Sequence, residues 1–325
     1  MSKPPLLSTG PMMPLMVQRM EDAFEVHWLH EVGDVEAFLA KEGPRIEAVC
    51  TGAHTGVRTD AAMMARLPAL RIIGNYGVGY DSIDVPEARK RGVIITNTPD
   101  VLTEEVADTT IGLLLMTVRE LSRAETWMRA GQWAATGLDY PFTPGSLRDR
   151  SVGLIGYGRI GKAIGRRLEA FDVPISYFGR TRQADVPYPF FDNLVEMAKA
   201  VDTLIAILPG GPATQGIVNA EVLKALGPRG IFINMARGTV VDEAALKAAL
   251  RDGTILSAGL DVFLNEPRPD PDLLTIPNLT VLPHVGSGSI YTRTKMGNMT
   301  VDNLVAYKER EPPLTPVPET PFQSW

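Results

Sequence analysis

A single cysteine, Cys50, stands among 325 residues. That excludes an intramolecular disulfide and a cysteine-rich metal cluster, leaving a buried structural thiol as the expected role and no metal site. Long apolar runs are missing too, since none reaches the roughly 20 residues that span a bilayer. The opening "MSKPPLLSTGPMMPLMV" is apolar, but prolines at 4, 5, 11 and 14 break any signal-peptide core. A soluble, cytoplasmic protein with no membrane partner is expected. Positive charge is also short. A net charge of −6 argues against a nucleic-acid partner, yet a small anionic substrate needs only a few local cations. No tandem repeat of short period is present. Histidine is scarce: three of the four (His27, His30, His54) precede residue 60, and His284 stands alone.

The length suggests two domains rather than one core. Residues 1–100 alternate β-like runs, "PLLST" (5–9), "FEVHWL" (24–29), "AVC" (48–50), "RIIGNY" (71–76) and "GVIITN" (92–97), with helical stretches, which implies parallel βαβ units. Helical spacing of Ile111, Leu114, Leu115 and Val118 predicts one long helix over 103–128. Gly and Pro then mark 131–150 as a loop or arm. From Ser151 a second βα series carries near-continuous apolar runs at 151–156, 175–179, 203–208, 230–235, 258–263 and 279–283, as strands covered on both faces require. Asp242 is placed to cap a helix, and a last helix over about 290–308 precedes a Pro-rich tail expected to be a surface extension.

"GLIGYGRIGKAIGRRL" sets Gly156, Gly158 and Gly161 in a G-x-G-x-x-G between a strand-like and a helix-like run, the context that makes the motif meaningful. Gly156 suits a tight turn, Gly158 lets a pyrophosphate approach the backbone, and Gly161 lets helix pack on strand. The amides of Arg159 and Ile160, at the helix start, are the expected phosphate donors. About 20 residues on, a dinucleotide site usually carries an acidic residue for the ribose hydroxyls. Here the chain reads "YFGRTR" (177–182). Guanidinium pairs bidentately with phosphate, so Arg180, supported by Thr181 and Arg182, points to selection of NADPH over NADH. The competing account is a solvated charge pair.

His284 ends the last strand-like run of this series, Arg237 follows "INM", and Glu266 follows "LDVF". In a parallel sheet all three reach the carboxyl edge, where ligands of open α/β sheets gather. Reduction of a 2-oxo acid needs such a set. A fixed cation (Arg237) holds the carboxylate and polarises the ketone, an imidazole (His284) protonates the developing alkoxide, and a carboxylate (Glu266) orients the imidazole.

The segments "GNYGVGYDSID" (74–84), "EEVADTTIGLLL" (104–115), "GLIGYGRIG" (153–161), "INMARGTVVDEAAL" (233–246), "GLDVFLNEP" (259–267) and "LPHVGSGS" (282–289) resemble, in this order, the D-isomer-specific 2-hydroxyacid dehydrogenases. "YFGRTR" and "LPHVGSGS" are most similar to the NADPH-dependent glyoxylate and hydroxypyruvate reductases among them. The resemblance implies that Arg237, Glu266 and His284 are catalytic, and that the backbone at Val78 and Gly79 binds the substrate carboxylate. It also implies that the nicotinamide is held near Asp261, and that the cofactor passes Leu208, Met235, Ala236 and Gly286. The implied fold is α/β, with two Rossmann-like domains of parallel sheet. A discontinuous, flavodoxin-like substrate domain (1–102 and 286–325) holds an inserted dinucleotide domain (103–285). Family members usually dimerise through the cofactor domain and an arm, so a homodimer with its arm at 120–150 is expected. The acidic residue common in NAD-using members is absent.

Three functions remain in competition. One is reduction of glyoxylate or hydroxypyruvate. Another is the same chemistry on 2-ketogluconate or an aryl-pyruvate, decided by how bulky groups such as Met13, Tyr76, Trp133 and Tyr140 close the pocket. The last is a cofactor-sensing co-repressor, disfavoured because the catalytic set is whole and no basic tail is seen.

Overall fold

Apolar runs bounded by turn residues become strands of two separate, all-parallel sheets. The computed structural model describes residues 3–52 and 57–324 and divides into one unit of Met1–Leu102 with Ser289–Trp325 and another of Thr103–Gly288.

The first unit holds β1 (Pro5–Ser8), β2 (Glu25–Trp28), β3 (Ala48–Gly52), β4 (Ile72–Tyr76) and β5 (Ile94–Thr96), in the flavodoxin-like order β2-β1-β3-β4-β5. Successive side chains enter opposite layers. Leu7, Val49, Ile73 and Ile95 pack with Leu39 and Met64, whereas Leu6, Ala48, Cys50 and Ile72 pack with Met16, Met20 and Leu304. Each large apolar side chain contributes roughly 1.5–3 kcal/mol on full burial, so β1, β3, β4 and β5 open on apolar residues, and the buried polar ones, Ser8, Thr51, Asn75 and Thr96, fall at or next to their carboxyl ends. The last helix, Ile290–Lys308, seats on β4, where a Cβ on Gly74 would lie 2.9 Å from Leu304 Cγ.

The Pro-rich tail is not a surface extension. Val317 is buried and donates its amide to Ile95 O at 2.8 Å, Thr320 Oγ1 accepts from the Ile95 amide at 2.9 Å, and Asn303 holds Thr315 from both sides. The tail covers the outer edge of β5, which would otherwise present unpaired backbone groups. Proline is tolerated on such an edge because its missing N–H faces away from the ladder.

The second unit holds β6 (Val152–Ile155), β7 (Ile175–Phe178), β8 (Phe190–Phe191), β9 (Thr203–Ala206), β10 (Ile231–Asn234), β11 (Ser257–Leu260) and β12 (Leu279–Val281). Their order is β12-β11-β10-β9-β6-β7-β8, with every pair parallel. The crevice between β6 and β9 is the switch point at which such sheets bind dinucleotides. The two-residue β8 was not expected, being too short to show a period. Asp242 caps its helix as expected, accepting from the Ala245 amide at 3.0 Å.

The single helix expected over 103–128 is broken. It runs Thr103–Val118, and a second helix, Leu121–Arg129, starts after Glu120 adopts φ 50°. No glycine or proline announces the break. No side chain of the second helix is buried, and Leu121, Met128, Trp133 and Phe142 all lie exposed along 120–150. Among the described residues no helix is long and apolar enough to cross a membrane.

Candidate active site

The glycine turn leaves β6 directly. Gly156 takes φ 100° and donates its amide to Phe178 O at 3.0 Å, and a Cβ there would come within 2.9 Å of Leu208 Cβ. Gly161 is forced by contact, since its Cβ would meet Gly156 O at 2.6 Å. Gly158 differs: its backbone is extended, and a Cβ would meet nothing within 4 Å. The protein itself gives no reason for glycine there, but a phosphate approaching the backbone does. The helix Arg159–Glu169 begins at once, and its first amides, including those of Arg159 and Ile160, lack intrahelical acceptors. Turn and helix start therefore fit a dinucleotide pyrophosphate.

Phe178 pairs with Ile155, so the residues after β7 emerge beside this turn. Arg180, Thr181 and Arg182 are all exposed. Neither guanidinium has an acidic or hydrogen-bonding partner among the described residues, so both are exposed, unpaired cations.

Neighbouring strands of the same sheet deliver the remaining groups to its carboxyl edge: Leu208 after β9, Met235, Ala236 and Arg237 after β10, Asp261 and Glu266 after β11, His284 and Gly286 after β12. Buried Asn234 shapes the turn carrying Arg237, accepting from the Ala236 amide at 3.0 Å and donating to Arg237 O at 3.0 Å. Arg237 Nη1 bonds Ala236 O at 2.8 Å. A Cβ on Gly238 would lie 1.9 Å from Phe263 C, so the Arg237 turn rests against the loop that carries Glu266.

His284 Nδ1 lies 2.7 Å from Glu266 Oε2, and Glu266 Oε1 accepts the Phe263 amide at 2.9 Å. That pairing orients the ring and turns Nε2 away from the carboxylate. His284 sits in the left-handed region, φ 53°, at a cost of roughly 1–2 kcal/mol. Asp261 supplies the compensation, its two carboxylate oxygens accepting the amides of Val285 and Gly286 at 2.7 and 2.8 Å. Hydrogen bonds to a charged group contribute about 1.5–3 kcal/mol each, set here against both the strain and the cost of burying the carboxylate. Burial pushes the Asp261 carboxyl above its ordinary pKa, against the lowering effect of those two amides. Asp261 thus anchors the segment behind His284, a role invisible in its motif.

On the first unit, Val78 and Gly79 follow β4 in a loop whose carbonyls are all engaged. Asn75 Nδ2 donates to Gly77 O and Gly79 O at 2.8 and 3.0 Å, and Asn97 Nδ2 to Val78 O at 2.9 Å. The amides of Val78 and Gly79 have no acceptor among the described residues. These two adjacent N–H groups are thus available to an acceptor from outside the loop. No motif marks Asn75, Asn97 or Asn234 for these bonds; an amide side chain at or just past a strand end is the one signal the chain carries for them. His27 and His30 lie in and just after β2, and His54 falls outside the described residues.

Residues 111–286 match the family described as D-isomer specific 2-hydroxyacid dehydrogenase, NAD binding domain. The chain belongs to this family of oxidoreductases. As a D-2-hydroxyacid dehydrogenase it has relatives along its full length. It is 48% identical, at a TM-score of 0.94, to the NADPH-dependent glyoxylate/hydroxypyruvate reductase of Sinorhizobium meliloti, solved with NADP and malonate; the match covers 100% of this chain and 99% of that one. It is 40% identical to the hydroxyphenylpyruvate reductase of Plectranthus scutellarioides (96% and 98% covered) and 37% identical to the 2-ketogluconate reductase of Gluconobacter oxydans (97% and 99%).

Proposed function

We propose that this dehydrogenase reduces a small 2-oxo acid, glyoxylate or hydroxypyruvate, to the D-2-hydroxy acid with NADPH. The observation that carries the reading is the His284–Glu266 pair at 2.7 Å, on the sheet edge that also bears Arg237 and the glycine turn. Bound NADPH supplies the hydride. Arg237 holds the carboxylate and polarises the keto oxygen. His284, through Nε2, donates the proton to that oxygen as negative charge develops on it. Glu266, fixed by the Phe263 amide, keeps the ring oriented and stabilises its protonated form. The amides of Val78 and Gly79 are assigned the substrate carboxylate.

Cofactor contacts are assigned to Gly156, Gly158, Gly161 and the amides of Arg159 and Ile160 for the pyrophosphate. The 2′-phosphate is assigned to Arg180, Thr181 and Arg182. The nicotinamide half is assigned to Leu208, Met235, Ala236, Asp261 and Gly286, the last two as backbone shape rather than free donors. The 48% identity to an NADPH-dependent reductase supports this cofactor and substrate class. Relatives named for 2-ketogluconate and hydroxyphenylpyruvate supply the second reading, the same reaction on a larger acid. A cytoplasmic location accords with use of NADPH. The exposed apolar side chains along 120–150 support a homodimer formed through that arm, which light scattering of the purified protein tests.

Chiral analysis of the product tests the reaction. Incubation with hydroxypyruvate and NADPH is expected to yield D-glycerate. L-glycerate, or oxidised cofactor without glycerate, would reject the assignment.

A further inference from the structure

Arg180 and Arg182 are exposed and have no partner among the described residues, so nothing bonded to their own side chains holds them in place. Their neighbour Gln183 is held at three points. Its Nε2 donates to Tyr157 O at 2.7 Å, its backbone amide donates to Tyr177 Oη at 2.8 Å, and its carbonyl accepts weakly from the Val186 amide at 3.5 Å. Tyr157 is the residue between Gly156 and Gly158, in the middle of the phosphate-binding turn. Tyr177, on β7, is 1% exposed and packs on Tyr157 at a ring separation of 4.9 Å and on Phe190 at 5.3 Å.

We propose that Gln183 is the positioning residue for cofactor selection, tying the arginine loop to the glycine turn so that the two cations stand at a fixed distance from the pyrophosphate subsite. The inference rests on the NADPH reading above. A neutral amide suits the task. Its donor reaches the Tyr157 carbonyl without adding a charge, whereas a carboxylate would oppose both that carbonyl and the incoming 2′-phosphate. Tyr177 completes the tie from below: its hydroxyl oxygen accepts the Gln183 amide while its ring is immobilised by packing. Pre-organising the cations lowers the ordering cost of binding a 2′-phosphate, and a ligand without that phosphate gains nothing from it.

Calorimetric binding of NADP+ and NAD+ to the cofactor-free protein tests this without turnover. For Gln183→Ala the NADP+ dissociation constant is expected to rise about five- to tenfold, the size of one lost hydrogen bond, with NAD+ changed less than about twofold. Gln183→Glu should lose at least as much. In a mutant cycle, Gln183→Ala should add little once Arg180 and Arg182 are both replaced by Ala, because the tie acts through those two guanidinium groups. If Gln183→Ala proves unfolded by circular dichroism, Tyr177→Phe, which removes the hydroxyl and keeps the ring, is expected to weaken NADP+ selectively. Equal losses with both cofactors, or full additivity with the paired Arg180→Ala and Arg182→Ala replacement, would overturn the inference and leave the NADPH reading standing. No preference for NADP+ in the unsubstituted chain would overturn both.

Discussion

His284 is bound to Glu266 at Nδ1, 2.7 Å from Oε2, and Glu266 is in turn fixed by a backbone amide of its own loop. The imidazole therefore has one orientation and one nitrogen turned away from the carboxylate, as a proton donor requires. Replacing His284 with Asn should lower kcat by a factor on the order of 10² or more. Glu266→Gln, which keeps the shape and removes the charge, should cost less, about tenfold. Steady-state rates at saturating substrate check both, and near-native turnover in His284→Asn would require another proton donor.

Gly156 and Gly158 should behave in opposite ways on exchange for Ala. Gly156→Ala meets a positive φ and a contact at 2.9 Å, so it should lower stability by roughly 1–3 kcal/mol. Gly158→Ala finds open space and extended backbone, so thermal stability should be unchanged while NADP+ binding weakens about tenfold or more. Melting curves and calorimetry on the same two variants separate the turn's own needs from those of its ligand.

Arg180→Asp should reduce kcat/KM with NADPH far more than with NADH, since an acidic side chain repels a 2′-phosphate and accepts bonds from ribose hydroxyls. An equal loss with both cofactors would remove Arg180 from the 2′-phosphate site.

Cys50 is fully buried in the first unit's core, and burial pushes its thiol up to about 12. The neutral thiol is the form the fold favours. Its contribution to stability is complete below the unfolded thiol's value, about 8.5, and is lost as pH rises towards about 12. Labelling by a thiol reagent near pH 8 should follow the rate of global unfolding; rapid labelling of the folded protein would contradict the burial.

Much of this was legible in the chain because strands buried on both faces cannot alternate in polarity. "TLIAIL" and "GIFINM" contain β9 and β10 for that reason, and a parallel sheet then carries Arg237, Glu266 and His284 to one edge. What escaped depends on contacts without a period. The tail's seat is the edge of β5, more than 200 residues earlier in sequence, as the separation of 225 between Ile95 and Thr320 illustrates. The break at Glu120 has no glycine or proline to mark it. Asn75, Asn234 and Asp261 work through side-chain bonds to nearby or distant backbone, fixed by loop shapes that composition does not encode. Gln183 gave no signal either, since its partner, Tyr157 O, is a carbonyl every residue carries.

NADPH-dependent reduction of a small 2-oxo acid is decided by one set of rates: kcat/KM for glyoxylate, hydroxypyruvate, 2-ketogluconate and phenylpyruvate, each with NADPH and with NADH. Glyoxylate or hydroxypyruvate with NADPH should lead, by about tenfold or more over the same acid with NADH, the scale of one lost charge-assisted contact. Equal rates with NADH, or no cofactor oxidation with any of the four acids, would contradict it.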